Sequence, residues 1–307
     1  MAEVEREALR SETVESLERR MQDLPMLPSV VARLLALDHQ SDGFFDALLE
    51  LTNEDPTFAL QILKMANASS ISPAQPVRSI PQAIALLGAE QAVNLSISMS
   101  VTRVFAPRTR GDRFLWIHSI EVACAAREIA RLIGSNDIDP ELAYVCGLLH
   151  DIGRFILLQE LPENLKAVDD SEWGSPEELI AAEQAICGFD HTQLGWRACR
   201  AWKIPGTIAD VVRLHHSAGS LESHDSHGVA RLVRIIQLAD RISLKNLRTP
   251  NFWQGSSEEI EADAVECFHP DWHASSKTVR PLAGRIPAIF AESERLISQI
   301  GLPSISE

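Results

Sequence analysis

His150 and Asp151 stand side by side in Leu148-Leu149-His150-Asp151-Ile152-Gly153-Arg154, and a neutral imidazole beside a carboxylate is a pair of divalent-metal ligands. From Ala143 to Leu158 the chain is otherwise almost wholly apolar, broken only by His150, Asp151 and Arg154. Polar groups buried without partners are strongly penalised, so these three meet one another, a metal, or groups from other helices. Alone, a His-Asp dipeptide is more often a hydrogen-bonded core histidine than a ligand pair. Further ligand-type side chains sit in apolar surroundings: His118 in Trp116-Ile117-His118-Ser119, His191 in Asp190-His191-Thr192, the doublet His215-His216, and Asp240 in Leu238-Ala239-Asp240-Arg241. Each has a purely structural explanation, as a half-buried histidine, an Asp paired with Arg241, or a histidine at the negative end of a helix.

The elements that must position these residues read as helices. Apolar residues recur at helical spacing nearly throughout, and strand-like alternation is scarce, which predicts an all-α protein of two packed helical subdomains. Helices are predicted over Glu3–Arg20, then, after the prolines of Leu24-Pro25-Met26-Leu27-Pro28, over Ser29–Leu37, Phe44–Asn53, Thr57–Ala68 behind Asp55-Pro56, Gln82–Leu87 closed by Gly88, and Ala89–Val104. Pro107 to Arg113 is polar and turn-rich and is the best internal boundary. Its basic residues read as a solvated linker. Beyond it, helices are predicted over Phe114–Ile133, Pro140–Gln159, Pro176–Cys187, Asp190–Trp202, Pro205–His216 and Gly228–Leu244. Between Glu160 and Asp190 nine acidic residues face only Lys166, which reads as a solvated surface without chemistry. Asn246 to Thr278 reads as polar and irregular, with a closing helix near Pro287–Gln299 and surface histidines at His269 and His273. The divisions are therefore 1–23, 24–106, 114–244 and a tail, 245–307.

Composition limits the function. With 307 residues, 45% hydrophobic and 23% charged, the chain forms one large domain or two modest ones. A net charge of −15 and a pI near 5.1 argue against coating nucleic acid or an anionic membrane. Cys124, Cys146, Cys187, Cys199 and Cys267 are odd in number and lack metal-finger or redox spacing, as in reduced core cysteines of a cytoplasmic protein. The start, Met1-Ala2-Glu3-Val4-Glu5, is unlike a signal peptide, and no apolar run approaches the roughly 18 residues of a membrane span. A cytoplasmic protein without membrane insertion is expected.

Taken in order, His118, His150-Asp151 and Asp240 resemble the metal site of the HD superfamily of phosphohydrolases. His191 followed by Gly195, then His215-His216, resembles the second-metal ligands of the HD-GYP phosphodiesterases within it. Two departures stand out: Ser217-Ala218-Gly219-Ser220 replaces Gly-Tyr-Pro, and Phe114 replaces a glutamate that some relatives carry one turn before His118. The amino-terminal half points to another branch. Leu24-Pro25-Met26-Leu27-Pro28, Asp55-Pro56, Leu63-Lys64-Met65-Ala66-Asn67, Ser79-Ile80-Pro81-Gln82-Ala83-Ile84 and Leu86-Leu87-Gly88 resemble HDOD proteins, the HD-related output domains.

The resemblance runs from about residue 24 to 244 and implies a bacterial signalling module. Its pocket is expected to hold one or two divalent ions, Fe, Mn, Ni or Mg, on His118, His150, Asp151, His191, His215, His216 and Asp240. Such ions activate water and neutralise charge on a phosphate. Asp151 would bridge two ions. Arg154, where relatives carry Lys, would hold a phosphate or pair with Asp151. The resemblance favours a non-catalytic output or scaffold domain that binds a signalling protein or a nucleotide or phosphate ligand. The alternative is a metal-dependent phosphohydrolase or cyclic-nucleotide phosphodiesterase using Asp151 and Arg154. Because the resemblance fills nearly the whole chain, no receiver, kinase or cyclase segment is expected, and the signal comes from a separate partner.

Overall fold

Proline and capping signals open helix after helix along the chain. The computed structural model describes residues 29–38, 41–68, 76–107, 110–134, 138–171, 173–217, 227–268 and 276–300. Every regular element among the described residues is helical, so the fold is all-α. The helix expected over Glu3–Arg20, the Leu24–Pro28 signal, His269 and His273 lie outside the described residues.

The first group comprises α1 (Ser29–Leu35), α2 (Phe44–Glu54), α3 (Pro56–Ala68), α4 (Ile80–Leu87) and α5 (Ala89–Val104). Asp55 starts α3 by accepting the Phe58 N–H at 3.1 Å, and Gly88, at φ +86°, ends α4 and starts α5. Asn67 fastens α3 to the segment before α4: its amide accepts the Val77 N–H at 2.8 Å and donates to the Val77 carbonyl at 3.0 Å. Helix α5 is rich in serine yet buried. Ser96 and Ser98 donate back to the carbonyls of Ala92 and Asn94, at 2.6 and 2.8 Å, which satisfies both hydroxyls within the helix.

The second group comprises α6 (Arg110–Ile133), α7 (Pro140–Leu149), α8 (Ile152–Glu160), α9 (Pro162–Asp169), α10 (Pro176–Cys187), α11 (His191–Ala201), α12 (Gly206–Leu214) and α13 (His227–Arg248). Helix α6 starts at Arg110, inside the stretch expected as a linker. The single helix expected over Pro140–Gln159 is two, broken at His150-Asp151, where Asp151 leaves helical geometry at φ −97°, ψ 18°. Two glycines fasten the halves to different partners. A Cβ on Gly147 of α7 would fall 2.8 Å from the Ala123 Cα of α6, and one on Gly153 of α8 would fall 1.9 Å from the His191 carbonyl oxygen. The acidic segment expected as plain surface holds α9.

The last part, expected to be irregular from Asn246 to Thr278, is mostly helical: α13 runs on to Arg248, a 3-10 turn covers Phe252–Gln254, and α14 (Ser257–Cys267), α15 (Ser276–Ala283) and α16 (Ile286–Ile300) follow. A reciprocal Ser256–Glu259 capping box starts α14. Its many acids face outward and hide a buried stripe of Ile260, Ala264 and Cys267. Helix α16 packs on α6, with Phe290 buried against Phe252 and Trp253 and Glu292 Oε1 2.6 Å from Arg127 Nη2. All five cysteines are buried and unpaired. No helix among the described residues is long and apolar enough to cross a membrane on its own.

Candidate metal centre

Helix ends supply most of the site. His150 is the C-cap of α7, Asp151 the N-cap of α8, His191 the first residue of α11 and His215 the C-cap of α12. His118 and Asp240 project from within the long helices α6 and α13. The structure brings all seven predicted ligands together around one carboxylate. Asp151 Oδ2 lies 3.7 Å from His150 Nε2 and 3.9 Å from His118 Nε2, which is itself 3.2 Å from Asp240 Oδ1. Asp151 Oδ1 lies 3.3 Å from His191 Nε2 and 3.6 Å from His215 Nε2. The His216 ring stands 4.1 Å from that of His215 and 5.1 Å from that of His191. Ligand atoms about 2.1 Å from one ion lie about 3.0–3.4 Å apart in octahedral or tetrahedral geometry, close to these spacings. The donors fall into two sets sharing Asp151, one with His118 and His150, the other with His191, His215 and His216.

Hydrogen bonds fix the tautomers. His150 Nδ1 and His215 Nδ1 face the carbonyls of Gly147 and Val212 at 2.7 and 2.8 Å. A carbonyl only accepts, so both Nδ1 atoms carry the proton, and each ring also satisfies a carbonyl at its helix's C-terminus. His191 Nδ1 donates to Glu183 Oε2 at 2.6 Å. Ser243 gives its own proton to Glu121 at 2.6 Å and therefore accepts from His118 Nδ1 at 2.9 Å. In the neutral rings all four Nε2 lone pairs are thus left facing Asp151. Two of them, on His191 and His215, lie 3.2 Å apart, and Asp151 Oδ1 receives no hydrogen bond. Protons on His118 and His191 satisfy part of this cluster. Divalent cations, one in each donor set, would satisfy the rest, and imidazole with carboxylate is the donor set of Fe, Mn, Ni and related ions.

Electrostatics agree with this. Burial pushes the His150 imidazole down to about 4, against the pull of Asp151, which keeps it neutral and able to ligate. Burial, with His215 and His191 adding to it, also holds His216 well below the usual histidine value. Burial opposes ionisation of Asp151, but His150 and His191 outweigh it and hold the carboxyl well below its ordinary value. For His118 and His191 burial is overcome by acidic neighbours, Asp240 and Glu183 foremost, so both imidazoles are raised.

Three residues behind the ligands were not singled out from sequence: Glu183, Glu121 and Ser243. Glu183, fully buried, accepts both the backbone N–H of His191 at 2.8 Å and its Nδ1–H, although it belongs to the acidic segment read as surface. Glu121 and Ser243 lie one turn after His118 and Asp240, so their helical spacing was the available signal. Arg154 does not pair with Asp151. It forms an ion pair with Asp169 and stands 3.7 Å from Glu183 Oε1. A cavity of about 860 Å³ opens onto the cluster, with His118, Asp151, Arg154, His216 and Asp240 in its wall.

The HDOD domain profile matches residues 24–218. The chain belongs to the HDOD family. An HDOD domain protein of unknown function from Geobacter sulfurreducens superposes with a TM-score of 0.65 at 22% identity, over 94% of this chain and 98% of its own. A Shewanella amazonensis SB2B protein whose name carries a provisional phosphohydrolase assignment superposes with a TM-score of 0.60 at 20% identity, over 92% and 95% of the two chains. These likenesses show the shared fold. An uncharacterized protein of Treponema pallidum (strain Nichols) is 22% identical over 204 residues, which cover 66% of this chain and 39% of that protein's length. In this HDOD chain the matched stretch ends before α13, so Asp240 is supplied from beyond it.

Proposed function

We propose that this HDOD protein is a bacterial, cytoplasmic signalling output module whose pocket holds one or two divalent ions and, on them, a phosphate-bearing regulatory ligand. The observation that carries this reading is the ring of four imidazole Nε2 atoms, each with its Nδ1 committed elsewhere, around Asp151. His118, His150, Asp240 and one oxygen of Asp151 would hold the first ion; His191, His215, His216 and the other oxygen would hold the second. Such ions, when bound, supply positive charge and a polarising centre for a phosphate. The protein's own groups orient the ligands: Glu183 fixes His191, and Ser243 with Glu121 fixes His118. The ion pair of Arg154 with Asp169 leaves this guanidinium bridging the cavity wall rather than clamping Asp151, and the output is binding that a separate signalling protein reads.

A second reading, hydrolysis of a phosphate ester, is favoured by the cavity that reaches both Asp151 and Asp240. One experiment addresses both. Protein purified without chelator and repleted with Mn, Fe, Ni or Mg is expected to carry stoichiometric metal, and Asp151→Asn to lose it with the helical circular dichroism intact. Glu183→Gln is expected to weaken metal binding by about ten- to a hundredfold. Absence of stoichiometric metal after repletion sinks the proposal. Turnover of phosphate esters by the loaded protein but not by Asp151→Asn promotes the second reading over the first.

A further inference from the structure

The cavity over the cluster is chemically two-ended. Its polar floor is the ligand set, and much of the rest of its wall is hydrocarbon from four parts of the fold: Leu115 of α6, Phe155 and Leu158 of α8, Trp173 before α10, and Leu244 and Leu247 of α13. Leu115, Leu158 and Trp173 pack against the core on one side, and all but Phe155 keep part of their surface accessible on the cavity side. The charged residues lining the cavity away from the floor are not basic overall. Arg154, Lys166 and Arg248 stand against Asp112, Glu163 and Asp169, with Arg154 already paired to Asp169, so a ligand carrying several separated anionic groups finds no net positive field. Nucleobase edges and ribose hydroxyls lose water on entry and need donors and acceptors in return, and apart from the charged residues the side chains of the wall offer them only at Gln159, Ser175 and the indole N–H of Trp173. A cavity of about 860 Å³ is within the usual range for small-molecule sites.

We infer that the pocket takes an amphiphile: a single phosphate head on the candidate metal centre and a hydrocarbon body along Leu115, Phe155, Leu158, Trp173, Leu244 and Leu247. This rests on the metal-and-phosphate reading above and adds the class of ligand. The floor contributes the charge attraction, and the wall contributes selectivity by chain length. A cyclic dinucleotide could set one phosphate on the floor, but its second phosphate and polar base edges would lie against a mostly hydrocarbon wall.

The test is calorimetric titration of the Mn-loaded full chain with inorganic phosphate, with ethyl, butyl, hexyl and octyl phosphate below micelle-forming concentrations, and with a cyclic dinucleotide. Burial of one methylene corresponds to about a fourfold gain in affinity, so Kd is expected to fall by roughly that factor per carbon until the cavity is full. Leu247→Gln and, independently, Trp173→Ala are expected to flatten this dependence while leaving the affinity for inorganic phosphate unchanged, which also reports that each variant has folded. Equal affinity along the alkyl series, or a cyclic dinucleotide bound more tightly than octyl phosphate, overturns the inference and leaves the metal-and-phosphate reading standing. Metal-loaded protein that binds no phosphate, inorganic or alkyl, overturns that reading itself.

Discussion

Glu121, one turn after His118 on α6, accepts from Ser243 Oγ at 2.6 Å and from Asn246 Nδ2 at 2.9 Å, and burial pushes its carboxyl up to about 7 against those bonds. An acid raised on folding is still protonated in the native state where the unfolded chain has already ionised. Its stabilising contribution is therefore complete below about pH 4.5 and is lost as pH rises through about 7, an effect on the order of 3 kcal/mol at most. Glu121→Gln imitates the protonated form and is expected to gain stability relative to the parent as pH goes from 5 to 7.5; parallel melting curves across that range refute it. Legibility at this scale follows chemistry. The seven candidate ligands stand out because metals accept few residue types, and histidine or aspartate in an apolar helix is conspicuous. Glutamate and serine are ordinary on surfaces, so Glu183, one acid among nine from Glu160 to Asp190, carried no mark of its burial.

Between elements, glycine sets the distances. Helices α8 and α11 approach so closely at Gly153 that a methyl group would lie 1.9 Å from the His191 carbonyl oxygen, and backbone cannot swing aside as a side chain can. Gly153→Ala is expected to lower stability by more than about 3 kcal/mol and to weaken metal binding with it, because the same contact positions His191. A variant with parental melting and metal affinity would show that α8 and α11 shift freely. The break between α7 and α8 was not legible in the sequence. Helix α7 is buried on nearly every side and α8 exposes apolar Leu158 only in part, so the apolar run is continuous across the break and periodicity carries no boundary there. Helix α14 escaped notice for the opposite reason: its narrow apolar stripe is outnumbered by acids.

The whole molecule is larger than the segment that the HDOD profile matches. The HDOD match ends at residue 218, yet α13 contributes Asp240, and α16 is tied to α6 by the Arg127–Glu292 pair and to the 3-10 turn after α13 by the Phe290–Trp253 stack. Phe290→Ala removes a side chain only 1% exposed and is expected to cost about 3–5 kcal/mol, lowering a single cooperative unfolding transition. A separate early transition in calorimetry, with the main one unmoved, would instead make the C-terminal helices an independent unit. All-helical architecture was legible from apolar spacing throughout, whereas the docking of these last helices depends on contacts far apart in the chain. The four helix ends at Asp151 have one further consequence. Two of them, α7 and α12, bring the partial negative charge of their carbonyl termini, and two, α8 and α11, bring the partial positive charge of their amide termini. The backbone thus gives the centre a built-in electric polarity whose direction follows from the direction of the chain, so exchanging side chains tunes its strength but does not reverse it.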